Sequence, residues 1–140
     1  MLSKKAKYAI NALVYLGHRI ENGPILISQI SEEENIPQKF LEAILLTLKK
    51  EGILESKKGR GGGYFLCKPS AEINLAEIIR IFDGPIALLP CVTHDYYKRC
   101  EDCKDEATCG IRKVFLELRN ITVEHLKNSS LEKVIEADSN

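Results

Sequence analysis

A chain of 140 residues, 44% hydrophobic and 29% charged, has the composition of a soluble globular protein, which excludes a disordered or fibrous one. That length holds one cored domain, or a small domain with an appendage. The 20 basic and 20 acidic residues cancel overall but not along the chain: residues 1–68 hold eleven Lys/Arg against seven Asp/Glu, residues 69–140 nine against thirteen, so a polyanion-binding surface is expected in the front half.

The opening MLSKKAKYAINALVYLG superficially has the form of a signal peptide, but Asn11 breaks its apolar run and no small-residue cleavage site follows. Ala6, Ala9, Ile10, Leu13, Leu16 and Ile20 recur at helical spacing, predicting an amphipathic helix over Ser3–Glu21 that stops at Asn22–Gly23–Pro24. No stretch is long enough to cross a membrane. The expected compartment is the cytoplasm, where thiols serve as metal ligands or redox sensors rather than structural disulfides.

Ser28 is the expected N-cap of a short helix ending near Glu34. After Asn35–Ile36, Pro37 suits the first position of a third helix running to about Glu51 and closed by Gly52. Its apolar stripe is Phe40, Leu41, Ile44, Leu45 and Leu48, with Gln38, Lys39, Glu42 and Lys49 mainly off it. Two short helices across a tight break form a helix-turn-helix pattern, although taken alone the pair fits an ordinary helical hairpin better. The next segment, ILESKKGRGGGYFLCKP, changes that balance. It reads as strands Ile53–Ser56 and Tyr64–Cys67 around a tip of Lys57–Gly63. A hairpin directly after a recognition helix is the wing of a winged helix, and Lys58 and Arg60 at its tip can reach phosphates or the minor groove. Read as a nucleotide loop, GRGGG lacks the Walker pattern and a following helix. Cys67, among apolar strand residues, is expected to be a small buried hydrophobe.

Asn74 is the expected cap of a short helix whose Leu75, Ile78, Ile79 and Phe82 face inward. A long helix then runs from about Ile111 to Lys127. Its stripe of Ile111, Val114, Phe115, Leu118, Ile121 and Leu126 is more than a small domain's core needs, which predicts pairing with a second copy; packing on the first helix is compatible with that. The polar EKVIEADSN is expected to fray. His18 and His125 have no nucleophile nearby in sequence, and no hydrolase, kinase or nucleotide motif is present, so no enzyme is expected.

Between these last helices, CVTHDYYKRCEDCKDEATC carries four of the chain's five cysteines, Cys91, Cys100, Cys103 and Cys109, with gaps of eight, two and five residues. Such a set suits an iron–sulfur cluster, which takes soft thiolate ligands. It equally suits tetrahedral zinc, or thiol–disulfide sensing with Cys100 and Cys103 as the pair. Spacing does not separate the first two. A polar, turn-rich segment of this kind is ordered by the metal it binds. Asp95, Glu101, Asp102, Asp105 and Glu106 outnumber Lys98, Arg99 and Lys104 here, an acidity that lowers a cluster's potential without preventing binding. The rival class is a redox enzyme with CxxC as its working dithiol; the complete wing and the missing substrate motifs argue against it.

In order, LSKKAKYAINAL, IPQKFLEAILLTLKKEGILESKKGRGGGYFL and the cysteine stretch resemble the Rrf2 family of bacterial winged-helix transcription regulators, over nearly the whole chain. The resemblance implies a mainly α fold with one small β-hairpin: a winged helix-turn-helix over residues 1–70, a connecting helix over 71–90, a cysteine-rich sensor loop over 91–110, and a dimerisation helix and tail over 111–140. It implies a homodimeric regulator, expected to repress, on a near-palindromic operator of double-stranded DNA. Recognition contacts carry over to Pro37, Lys39 and Glu42, with Gln38 adjacent, and the family's wing arginine falls on Lys58. Ser28, Lys57, Arg60 and Tyr64 complete the expected DNA-binding set. Cluster-binding members have three cysteines with five residues in each gap. Cys103 and Cys109 match the last two, Cys91 the first across a longer gap, and Cys100 is additional. The family's known fourth ligands are missing: Arg112 stands three residues after the last cysteine, and Lys7 and Tyr8 stand where one branch has an aspartate. Cys100 is the economical replacement, with His94 or a residue of the partner subunit as alternatives. The implied cofactor is an iron–sulfur cluster, [2Fe–2S], with zinc as the alternative, sensing redox, nitric oxide or iron–sulfur status. One branch of the family works as a cofactor-free adaptor, which four clustered cysteines disfavour.

Overall fold

The computed structural model describes residues 1–138. Helix α1 (Lys4–His18) begins where the Ser3 hydroxyl accepts the Ala6 N–H at 3.0 Å, satisfying a donor with no partner inside the helix. Ala6, Ala9, Ala12, Leu13, Tyr15 and Leu16 are buried on it, and it packs against α2, α3, α4, α6 and the second strand. It ends three residues before the expected Glu21. The chain turns once more over Ile20–Asn22 and leaves Ile20 exposed, off the predicted stripe.

Helix α2 (Ile27–Glu34) corrects the place of Ser28, which is exposed in the first turn and caps nothing; the cap position is Leu26. The reason lies outside the helix. Ile25 exchanges both backbone hydrogen bonds with Tyr64, at 2.9 and 2.8 Å, so the chain stays extended until Leu26. Asn35 ends α2 with φ 54°, a left-handed conformation that asparagine tolerates. Helix α3 (Gln38–Lys50) starts one residue later than expected: Pro37 is its N-cap, its carbonyl accepting the Leu41 N–H at 2.9 Å. Leu41, Ile44, Leu45 and Leu48 are buried, whereas Phe40 leaves the stripe and meets the Tyr8 ring edge-on at 5.6 Å.

Strands β1 (Leu54–Lys57) and β2 (Gly63–Leu66) pair antiparallel, Leu54 opposite Leu66 and Lys57 opposite Gly63. A Cβ on Gly63 would lie 2.3 Å from the Ile25 backbone, and its φ is 140°; only glycine lets the third segment approach this closely. Cys67 is exposed, against the expectation of burial. Side chains alternate along a strand, and Tyr64 and Leu66 take the face on the core, so Cys67 falls on the other.

Helix α4 (Leu75–Asp83) is capped by Asn74, which accepts the Glu77 N–H at 3.0 Å. Ile78 is buried, Phe82 is half-buried against the core, and Leu75 and Ile79 are only half-buried. Residues 84–109 contain a single helical turn, Pro90–Val92. Helix α5 (Gly110–Lys127) lies on α4 and on that turn. The polar tail is not frayed over its described part: Leu131–Asp138 forms α6, which packs on α1 with Leu131 buried. Ile135 sits so close to Gly17 that a Cβ there would fall 2.2 Å from its Cδ1. For Ser139 and Asn140 the expectation lies outside the described residues. The fold is thus the mainly α structure with one β-hairpin expected from the sequence, around one core of α1, α2, α3, the hairpin, α4 and α6.

Candidate functional site: helix, wing and cysteine loop

The helix-turn-helix is α2, Asn35–Pro37 and α3. Gln38, Lys39 and Glu42 are exposed on α3, as are Ser28 on α2 and Pro37 between them. Helix α3 packs directly on β1. The Lys49 ammonium donates to the Ser56 hydroxyl at 2.6 Å and lies 3.8 Å from Glu55, joining the helix to the hairpin. Lys57, Lys58 and Arg60 are exposed at the tip, where the Gly62 N–H closes a turn on the Gly59 carbonyl at 3.0 Å. Tyr64 is half-buried and held by the Ile25 bridge.

The cysteine loop is built from turns. Cys91 is buried in Pro90–Val92, Cys100 is exposed, Cys103 and Cys109 are half-buried, and all are free thiols. The Cys103 N–H donates to the Cys100 carbonyl at 3.1 Å, folding CxxC back on itself. Arg99 clasps this turn, its guanidinium donating to the Cys103 and Lys104 carbonyls at 3.4 Å each. Cys109 is the N-cap of α5, its sulfur accepting the Arg112 N–H at 3.4 Å, at a helix end whose partial positive charge favours anions. The Tyr97 phenol hydrogen-bonds to Glu106, and that bond to a carboxylate holds it above its ordinary range.

All four cysteines line one cavity of about 780 Å³, with Arg99, Arg112, Lys98 and Lys104 among its other walls. Among the described residues no three His, Cys, Asp or Glu side chains are grouped to hold a metal ion; the thiols bound a space rather than meet at a point. His94 is not in that wall. It is exposed, 3.3 Å from Asp95, and lines a separate cavity of about 200 Å³ with Arg80 and Arg119. Among the described residues, the Nε of Arg112 is the buried side-chain polar atom without a hydrogen-bond partner. Sequence reasoning took Arg112 only as a missing ligand; its role in the wall has no motif.

The apolar stripe of α5 divides. Phe115 and Leu126 are half-buried toward the body, but Ile111, Val114, Leu118 and Ile121 are 65%, 63%, 44% and 60% exposed. Their spacing of three and four residues makes a seam along one side of the helix. No helix among the described residues is long and apolar enough to cross a membrane.

The Rrf2 family model, described as an iron-dependent transcriptional regulator, matches residues 2–137. The rrf2-like HTH-type transcriptional regulator of Rhodobacter capsulatus is 44% identical, over 84% of this chain and 81% of that protein. The HTH-type transcriptional regulator IscR of Photorhabdus laumondii is 29% identical over 96% of this chain and 78% of its own. Among solved structures, CymR, the global cysteine regulator of B. subtilis, superposes with a TM-score of 0.81 at 25% identity, covering 98% of this chain and 97% of that one. IscR of T. potens shares the fold, with a TM-score of 0.78 at 22% identity over 100% of this chain and 88% of its own. With its helix-turn-helix, its hairpin and its long α5 in the family's order, this chain belongs to the Rrf2 family of DNA-binding, non-enzymatic transcriptional regulators.

Proposed function

We propose that the protein is a homodimeric cytoplasmic repressor whose operator affinity is set by a [2Fe–2S] cluster held by Cys91, Cys100, Cys103 and Cys109. One observation carries this reading: four of the five cysteines line a single cavity at the start of α5. Thiolates are the soft ligands such clusters take. Lys98, Arg99, Lys104 and Arg112 in its wall suit a group of negative charge. When bound, a cluster would supply one-electron chemistry and sensitivity to oxygen and nitric oxide. The family's description as iron-dependent favours iron over zinc.

On the DNA side, α3 enters the major groove and offers Gln38, Lys39 and Glu42 to base edges, with Pro37 and Ser28 beside them. Lys57, Lys58 and Arg60 take phosphates or the minor groove, on a wing that Tyr64 ties to the body. The exposed face of α5 pairs with that of a second copy, which sets two heads about one DNA turn apart on a near-palindromic site.

The test is protein purified without oxygen, with its visible spectrum recorded and iron, acid-labile sulfide and zinc quantified per dimer. Matched iron and sulfide is the expected result. Stoichiometric zinc would transfer the same four thiolates to the zinc reading. No metal after attempted reconstitution would overturn both and leave Cys100 and Cys103 as a dithiol sensor.

A further inference from the structure

We propose that Ala43 and Leu46 are specificity residues of the recognition helix, apolar contacts for the C5-methyl groups of thymines in each half-site. The inference rests on α3 being the helix that enters the major groove, as proposed above, and deepens it. On α3, Leu41, Ile44, Leu45 and Leu48 are buried. A helix turns about 100° per residue, so the side opposite that stripe holds Lys39, Ala43, Leu46 and Lys50, with Glu42 at its edge. All five are exposed, Leu46 to 49%. A lone exposed leucine on a protein surface needs no explanation, but the place of this one is particular. Lys39, Glu42, Ala43 and Leu46 stand at i, i+3, i+4 and i+7, the spacing from which one face of a helix reads bases in a major groove. From Lys39 to Leu46 the helix rises about 10 Å, three base-pair steps of about 3.4 Å. Two of those four side chains have no donor or acceptor. Their polar neighbour Thr47 donates its hydroxyl to the Ala43 carbonyl at 3.0 Å. The feature of the major groove that an apolar side chain recognises is the thymine methyl. Lys39 and Lys50 close the stripe at its two ends, and Lys57 and Lys58 are exposed on the hairpin that packs against α3. That rim of positive charge suits DNA phosphates around the apolar pair.

The test begins with a random duplex pool selected on the 140-residue chain, both anaerobically loaded and metal-free, so that whichever form binds supplies the half-site. Each thymine of that half-site is then replaced singly by deoxyuridine, which keeps its pairing and loses only the methyl. Wild type is expected to bind about fourfold more weakly at one or two of these positions, the effect of uncovering one methyl-sized group. Leu46→Ala is expected to weaken the parent duplex and to lose the distinction between thymine and deoxyuridine at its position; Ala43→Ser does the same at another. Leu46→Met, which stays apolar, keeps the distinction. All three are expected to keep the melting temperature and salt slope of wild type, because both side chains are exposed and carry no charge to a phosphate. A half-site without thymine, deoxyuridine without effect at every position, or a methyl effect that Leu46→Ala and Ala43→Ser both retain would overturn the proposal. Lys39→Ala and Glu42→Ala separate it from its foundation. If neither changes the selected sequence or the affinity, α3 is not the reading helix and both fall together. If they change the sequence while no methyl effect is found, only the role of Ala43 and Leu46 falls.

Discussion

Lys58 is exposed at the tip of the wing, and a lysine on a phosphate works through counterion release. Lys58→Ala is therefore expected to weaken operator and non-specific DNA alike and to reduce the salt slope of binding by about 1. Fluorescence anisotropy at a series of salt concentrations measures both; an unchanged slope would remove the contact. At the base of the same hairpin, Gly63→Ala would press a Cβ to 2.3 Å from the Ile25 backbone at φ 140°. A loss of about 2 kcal/mol is expected, read from urea unfolding. The two residues differ in how far the sequence discloses them. A lysine in a glycine-rich tip announces its chemistry by type and place. Which glycine of GRGGGY is sterically required depends on Ile25, which a local pattern does not connect to it. Cys67 and Ser28 fall under the same rule: the strand's facing and the Ile25–Tyr64 bridge decide their places, and neither is written in the neighbouring residues.

Helices were legible wherever their own spacing and caps sufficed. Ser3 and Asn74 cap α1 and α4 through their side chains, as residue type implies for Asn74, and the buried stripe of α3 follows its period. Helix α6 was missed because eight residues (Leu131–Asp138) are too few to stand alone; the helix exists because α1 offers it Gly17 as a slot for Ile135. Leu131→Ala, at a side chain 1% exposed, is expected to cost about 2–5 kcal/mol by thermal melting, and a frayed tail would show no change. Helix α5 gives the opposite case, a stripe legible in sequence whose two halves separate only in the fold. Leu118→Glu and Ile121→Glu on its outward seam would place like charges in the proposed dimer interface. The double variant is expected to sediment as a monomer with its helical circular dichroism intact, since both sites are exposed in the protomer. A persistent dimer would move the interface elsewhere.

At the scale of the molecule, the cysteine loop is joined to the DNA-binding body at both ends. Ser3, the first cap of α1, binds the Asp83 carboxylate through its N–H at 3.0 Å and again through its hydroxyl, and Asp83 ends α4, from which residues 84–90 lead to Cys91. On the other side, α5 starts at Cys109 and packs on α4 and on the turn that carries Cys91. Ordering or releasing the loop therefore acts on both helices that flank it. A coupling of about 1–3 kcal/mol is the ordinary size for such a link. Loaded and metal-free protein are expected to differ in operator affinity by about 5–150-fold, measured anaerobically on one preparation before and after chelation. Coupling is reciprocal, so saturating operator DNA must change the affinity for metal by the same factor. Asp83→Ala, which removes the hydrogen bonds to Ser3 while touching neither the cysteines nor the wing, is expected to shrink that factor and leave metal content and salt slope unchanged. Equal affinities of loaded and stripped wild type would make the cysteines a structural site; a full-sized factor in Asp83→Ala would remove the Ser3–Asp83 hydrogen bonds from the coupling.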